Sequence, residues 1–296
     1  MQCVYLDVMA NANIQNRMKN NLELLLKFQS IFEEKSWSLI DGYDEKLDRF
    51  GLLIDNLAEE EINLLLELTH LYEWMSYNDY HNNLRSLLKQ VLVKSLPNKS
   101  RLLIFPIIKP TDESEVKSGH VVMKMMESIK PSINGFKGIE IKLLKEFRDL
   151  RPERLEMSDN DFLILVDDYI GSGKTLNKTL LELNKNPTVG SKFAIVSMVI
   201  QDQAKLLLEE NNISHYYSVL LKKGISDNNN SPHLEKKLEL MRTIENKIPK
   251  VSRYRLGYEK SEALITLMRT PNNTFPIFWK GIITKGGEID APFQRY

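Results

Sequence analysis

The chain has 296 residues, 42% of them hydrophobic and 27% charged, which is material for one large core or two small ones. Forty basic and forty acidic residues cancel, so no global field draws the molecule to nucleic acid or to an anionic membrane. Cys3 is the sole cysteine, which excludes an internal disulfide and a cysteine-based zinc cluster and makes a reducing cytoplasm the expected home.

The opening stretch "MQCVYLDVMANANIQNRMKNN" lacks the cationic start and apolar run of a secretory signal. No apolar run approaches the roughly 20 residues that cross a bilayer, so no membrane contact is expected. Ile14, Met18, Leu22, Leu25, Phe28 and Phe32 recur every three or four positions and predict a helix with one apolar stripe. "YDEKLDRFGLLIDNL", "AEEEINLLLELTHLYEWMS" and "YNDYHNNLRSLLKQVLVKSL" continue the helical period, and Pro97 ends it. From residue 101 the pattern changes. "RLLIFPII", "DFLILVDD", "KFAIVSMVI" and "SHYYSVLLKK" read as buried strands, with "SEALITLM" as a fifth. Between them "GHVVMKMMESIK", "TLNKTLLELNKN", "DQAKLLLEENN" and "SPHLEKKLELMRTIENKI" read as helices, and "ISDNNNSP" (225–232) as a loop. Alternating strands and helices predict an α/β fold with a mainly parallel sheet. The expected division is a helical N-terminal region, 1–98, followed by an α/β domain, 99–296.

"LILVDDYIGSGKTL" (163–176) carries the chemistry. Its Gly-Lys-Thr ending imitates a P-loop, but the glycine required five positions before Gly173 is Asp168, which would repel a triphosphate. Read forward, a strand delivers Asp167 and Asp168 at its C-terminal end, where ligands bind in open parallel sheets. Gly171, Ser172, Gly173, Lys174 and Thr175 then turn into a helix whose free N–H groups and hydroxyls suit one phosphate monoester. Two carboxylates about a sugar's width away are placed to accept hydrogen bonds from vicinal hydroxyls. The combination fits a ribose 5-phosphate. The bland alternative is an acidic strand end and a helix cap without a ligand.

This order of residues resembles the signature of the type I phosphoribosyltransferases: an apolar run, two acids, two mostly apolar residues, then a Thr-Thr-Gly-x-Thr-like bend. Gly171 departs from it where a hydroxyl is usual, and Lys174 adds a cation at the variable position. The resemblance implies a sheet of phosphoribosyltransferase type over 99–296 and phosphoribosyl pyrophosphate or a nucleotide as substrate. Magnesium would be held indirectly by Asp167 and Asp168 through that substrate. Asp167 and Asp168 would serve catalysis beside the ribose, residues 171–175 would take the 5-phosphate, and substitution at the anomeric carbon would pass through an oxocarbenium-like state. The family also needs a pyrophosphate loop, for which Lys109 and the helix-opening Lys117, Ser118 and Gly119 are candidates. Solvated surface lysine is the alternative for Lys109 and Lys117. Asn272, Asn273 and Thr274, in "TPNNTFPIFW", are candidates to line the site, with Trp279 against a base; a polar turn before core aromatics is the alternative.

Together these features resemble a particular branch, the phosphoribosyltransferase-like effectors of bacterial conflict systems, some encoded beside retron reverse transcriptases. That resemblance implies a toxin in antiviral defence that consumes phosphoribosyl pyrophosphate or cleaves a nucleotide's N-glycosidic bond. The alternatives are an inactive nucleotide-binding sensor, or an assembly subunit partnering a reverse transcriptase–nucleic acid complex. An oligomer or hetero-assembly is expected. His70, His81, His120, His215 and His233 show no metal-binding spacing.

Overall fold

Four of the apolar runs form one sheet in the computed structural model, which describes residues 19–96, 98, 100–227 and 234–295. Ile14, Met18, Pro97 and residues 228–233 of the expected loop and following helix lie outside the described residues. The chain divides into two compact units. Met75–Lys222 make a sheet unit, while residues up to Trp74 join those from Lys223 onward in a helical unit. This division differs from the expected boundary at residue 98.

In the sheet unit, α4 (Tyr77–Ser95) precedes β2 (Arg101–Pro106), α5 (Ser118–Ile129), β3 (Glu140–Leu143) and β4 (Asp161–Ile170). α6 (Lys174–Leu183), β5 (Phe193–Gln201), α7 (Asp202–Glu210) and β6 (His215–Leu221) follow. The strand order is β3-β2-β4-β5-β6, and every neighbouring pair is parallel. Central strands of such a sheet are covered on both faces, which is why Leu102–Phe105 and Leu163–Val166 read as unbroken apolar runs and are fully buried. Leu103, Phe105, Leu163 and Leu165 share a core with Leu176 and Leu180 of α6 and Ala204 and Leu208 of α7. α5 packs against β2 and β4, and α4 against α5, β5 and β6.

The N-terminus of α4 is fixed by a capping box. The Ser76 N–H donates to Asp79 Oδ2 at 2.8 Å, and the Asp79 N–H donates back to Ser76 Oγ. The helix then docks on the sheet, with Ser95 Oγ and the Tyr216 hydroxyl 2.7 Å apart. This docking is why the last of the N-terminal helices belongs to the sheet unit. Strand β3 answers to no predicted strand. It is a short edge strand that alternates exposed and half-buried residues, so it lacks the apolar run that marks its neighbours.

In the helical unit are α1 (19–34), α2 (Tyr43–Ile54), α3 (Glu59–Leu71), β1 (Glu73–Trp74) and α8 (Leu234–Glu245). They are joined by β7 (Ile265–Thr266) and the hairpin of β8 (Ile282–Thr284) with β9 (Gly287–Ile289). The predicted fifth strand "SEALITLM" is thus corrected. Only Ile265 and Thr266 form a strand, and they pair with β1 rather than with the five-stranded sheet. Leucine and phenylalanine stripes of α1–α3 bury against Met241 and Ile244 of α8 and against Phe275, Phe278 and Phe293. Tyr72 and Phe293 stack at 4.7 Å, and the buried Tyr72 hydroxyl meets Thr266 Oγ1 at 2.6 Å. No helix among the described residues is long and apolar enough to cross a membrane.

Candidate active site at the end of β4

From β2 the chain crosses outward to β3, and from β4 it proceeds the other way to β5 and β6, so the order of strands reverses between β2 and β4. Outside the carboxyl ends of strands at such a reversal, open sheets present a crevice for ligands. Asp167 and Asp168 lie in the last turn of pleat of β4, beside this point. Asp167 Oδ1 accepts a hydrogen bond from Ser118 Oγ, at the start of α5, at 2.8 Å. The Asp168 N–H donates to the same oxygen at 2.9 Å. Asp168 is buried, and its Oδ2 accepts from the Tyr80 hydroxyl of α4 at 3.1 Å.

Burial pushes the carboxyl of Asp167 well above the ordinary carboxylate range, and the neighbouring charge of Asp168 adds to the rise. Burial raises Asp168 as well, while the hydroxyls of Ser118 and Tyr80 oppose it by donating to the charged form. The donors to this pair are two hydroxyls and one N–H, none of which carries a positive charge. Sugar hydroxyls supply donors, and a hard cation supplies charge. Among the described residues no group of three or more His, Cys, Asp or Glu forms a metal cage. Carboxylate oxygens are the kind of ligand that a hard cation such as magnesium takes.

The chain bends through residues 171–173 and enters α6 at Lys174. Gly173 occupies the N-cap with φ 74°, a left-handed conformation that glycine adopts without steric cost. A Cβ there would also come within 2.9 Å of Leu207 on α7. Gly173 has no side chain with which to cap this helix start, and the N–H end of a helix is the end that favours an anion. Ser172 and Thr175 are half-buried, and Lys174 is exposed.

The family model PRTase-CE matches residues 47–285, far more than half of the chain. The chain belongs to the PRTase-CE family. No curated protein matches it. Three solved structures are similar at low identity. A purine phosphoribosyltransferase from Pyrococcus horikoshii shares 11% identity, covering 50% of this chain and 86% of that one with a TM-score of 0.31. A hypothetical protein from Neisseria gonorrhoeae with bound ppGpp shares 12%, covering 59% and 98% with a TM-score of 0.33. The xanthine-guanine-hypoxanthine phosphoribosyltransferase of Helicobacter pylori shares 16%, covering 50% and 84% with a TM-score of 0.29. Overlaps this loose carry no weight beside the family match, which makes the chain phosphoribosyltransferase-like.

In this PRTase-CE chain Gly119 has a packing role. A Cβ there would lie 2.9 Å from the Val166 carbonyl and 3.1 Å from Pro106 Cβ, so glycine lets the start of α5 close onto β2 and β4. That closeness carries Ser118 to Asp167. Lys117 is engaged by acids of its own loop, Glu115 and, at 3.7 Å, Asp112, so its cation is partly neutralised. His120 Nδ1 accepts from the Lys117 N–H at 3.2 Å and serves as a helix-start residue, and burial lowers its pKa. Lys109 is half-buried at the end of the loop after β2, which Thr179 of α6 holds by donating to the Ile108 carbonyl at 2.8 Å.

The structure thus gathers Asp167, Asp168, Ser118 and the 171–175 bend in the sheet unit. Asn272, Asn273 and Thr274 belong to the helical unit. There the Asn272 carbonyl accepts from Tyr258 N, the Asn273 carbonyl accepts from Ser261 Oγ and Ala263 N, and the buried Thr274 hydroxyl donates to the Ile265 carbonyl. They form a polar turn before the buried Phe275 and Phe278. Tyr80 is the functional candidate absent from the sequence reading. Its place in the apolar stripe of α4 marks it only as core.

Proposed function

We propose that this chain binds a ribose 5-phosphate group and acts on phosphoribosyl pyrophosphate or on the N-glycosidic bond of a nucleotide. Asp167 and Asp168 accept the ribose hydroxyls, and the 171–175 bend takes the 5-phosphate on the N–H groups that open α6, with Lys174 adding charge. The observation that carries this reading is the succession, at one strand end, of two adjacent acids and a glycine-led helix start, beside the reversal of strand order. As the anomeric bond lengthens, positive charge grows on the sugar, and two carboxylates beside it stabilise that charge. Magnesium, when bound, neutralises the departing phosphates. Lys109 and Ser118 are assigned to the pyrophosphate side, with a lesser part for Lys117.

The wider role we infer is that of a cytoplasmic effector in antiviral defence, of retron type, with a reverse transcriptase–nucleic acid complex as partner in an oligomer or hetero-assembly. Its support is the sequence resemblance. A second reading, a sensor without chemistry, is favoured by Gly171, which leaves the first position of the bend without a hydroxyl. Incubation of the purified protein with magnesium and either phosphoribosyl pyrophosphate or mixed nucleotides separates the readings. Turnover that falls at least about a hundredfold in Asp167→Asn/Asp168→Asn supports the enzyme. Saturable binding without product supports the sensor, and turnover indifferent to both substitutions defeats the assignment.

A further inference from the structure

In the helical unit, three half-buried aromatic rings form a chain of contacts that carries Arg253 and Arg295, with Arg269 near enough to Arg295 to act on its charge. Tyr254 stands edge-on to Trp279 with ring centres 5.4 Å apart, and Tyr258 lies 6.5 Å from Tyr254. The Arg253 guanidinium is 5.9 Å from the centre of Tyr254 and 5.6 Å from that of Tyr258, and Arg295 is 5.8 Å from that of Trp279. Arg253 and Arg269 are exposed, and Arg295 is half-buried. Burial and then repulsion from Arg269 lower the pKa of Arg295, so these cations are close enough to feel each other. Among the described residues none of the three has an acidic partner, although carboxylates pair with Arg49, Arg101, Arg148, Arg151 and Arg154. Guanidinium groups with no carboxylate partner among the described residues keep their N–H donors available to an anion.

The rings are held in place. Leu256, Glu259, Lys260 and Glu262 all have positive φ, a concentration of strain that the surroundings must enforce. They do so through the buried Glu245, which accepts from Leu256 N at 2.8 Å, and through the Asn272 carbonyl, which accepts from Tyr258 N at 2.8 Å. The Trp279 Nε1–H donates to the Thr274 carbonyl at 2.8 Å and fixes the indole. Fixed aromatic rings interleaved with guanidinium planes stack on nucleobases, while guanidinium N–H groups grip phosphate. An acidic peptide would need the charge but not the rings.

We propose that this cluster is a binding site for a nucleobase bearing a phosphate, with the base against Tyr254, Tyr258 and Trp279 and the phosphate at Arg253, Arg269 and Arg295. The proposal does not depend on the ribose-phosphate reading of the acid pair. Two sources share this chemistry, a free nucleotide and an exposed nucleotide of a single strand. The test is run in the Asp167→Asn/Asp168→Asn background, so that the acid pair cannot supply the binding. A short fluorescein-labelled oligothymidylate is titrated by anisotropy, and thymidine monophosphate by calorimetry, both at low salt. Arg253→Ala/Arg269→Ala is expected to weaken binding at least about tenfold and to lower the salt slope by about one to two. Tyr258→Ala is expected to cost about tenfold, and Arg253→Lys, which keeps the charge but loses the plane, an intermediate amount. Equal losses with both probes name the free nucleotide as the source, and losses with the oligothymidylate alone name the single strand. Failure of both probes to bind, affinities that all three variants leave unchanged, or equally tight capture of a polyglutamate peptide would overturn the proposal.

Discussion

Tyr80 and Asp168 are 88 positions apart in the chain, yet their side chains share a buried hydrogen bond. A hydroxyl that donates to a carboxylate stabilises the charged form, so Tyr80 opposes the rise that burial imposes on Asp168. Tyr80→Phe keeps the ring and removes the donor, which raises the pKa of Asp168. The acid limb of the kcat/KM profile should move to higher pH by about one unit, with near-normal values recovered on the alkaline side. A profile that does not move would mean that Tyr80 only fills space. The acid pair, the bend and Ser118 were legible because they sit at fixed spacing around one strand end and one helix start. Tyr80 was not, because its partner is chosen by the docking of α4. Lys117 was half legible: Asp112 and Glu115 stand within five residues of it, and they take up its charge.

Among the elements, α2, α4–α7 and β2, β4, β5 and β6 follow the predicted runs closely, since helices with one apolar stripe and doubly buried strands carry strong patterns. The helix expected over "AEEEINLLLELTHLYEWMS", by contrast, stops at Leu71, and its Glu73 and Trp74 form β1. The exceptions have different causes. Glu140–Leu143 is a four-residue edge strand with a charge at every second position, and nothing in such a stretch separates it from a surface connection. Ala263–Leu267 has the apolar content of a central strand and is buried, but its Leu264 joins the helical core with Phe275 and Phe278. A stripe announces that a helix will bury one face and not what it will bury it against. For that reason α1–α3 and α4, alike in period, enter different units, and the segment after Lys223 returns to the first helices.

For the molecule as a whole, the cancelled charge leaves local desolvation to set its response to pH. Glu245 is fully buried, one of its oxygens has no hydrogen-bond partner, and burial raises its pKa from 4.5 to about 7. The folded state therefore holds this proton more tightly than the unfolded chain does. Its contribution to stability is full below about pH 4.5, declines as pH rises to about 7 and is then gone, a total of roughly 3 kcal/mol. Trp37, Trp74 and Trp279 all lie in the helical unit, so tryptophan fluorescence during urea unfolding reports it. Between pH 5 and 7 the wild type is expected to lose stability while Glu245→Gln stays nearly level; parallel curves would show that Glu245 is charged in the folded state. The central claim, that the acid pair and the bend together hold a phosphorylated ribose, is tested most directly by calorimetric titration of ribose 5-phosphate and of ribose with magnesium present. The account predicts saturable binding of ribose 5-phosphate that weakens at least about tenfold in Asp167→Asn/Asp168→Asn, with ribose far weaker throughout. Equal affinity for the two sugars, or binding untouched by the double substitution, would contradict it.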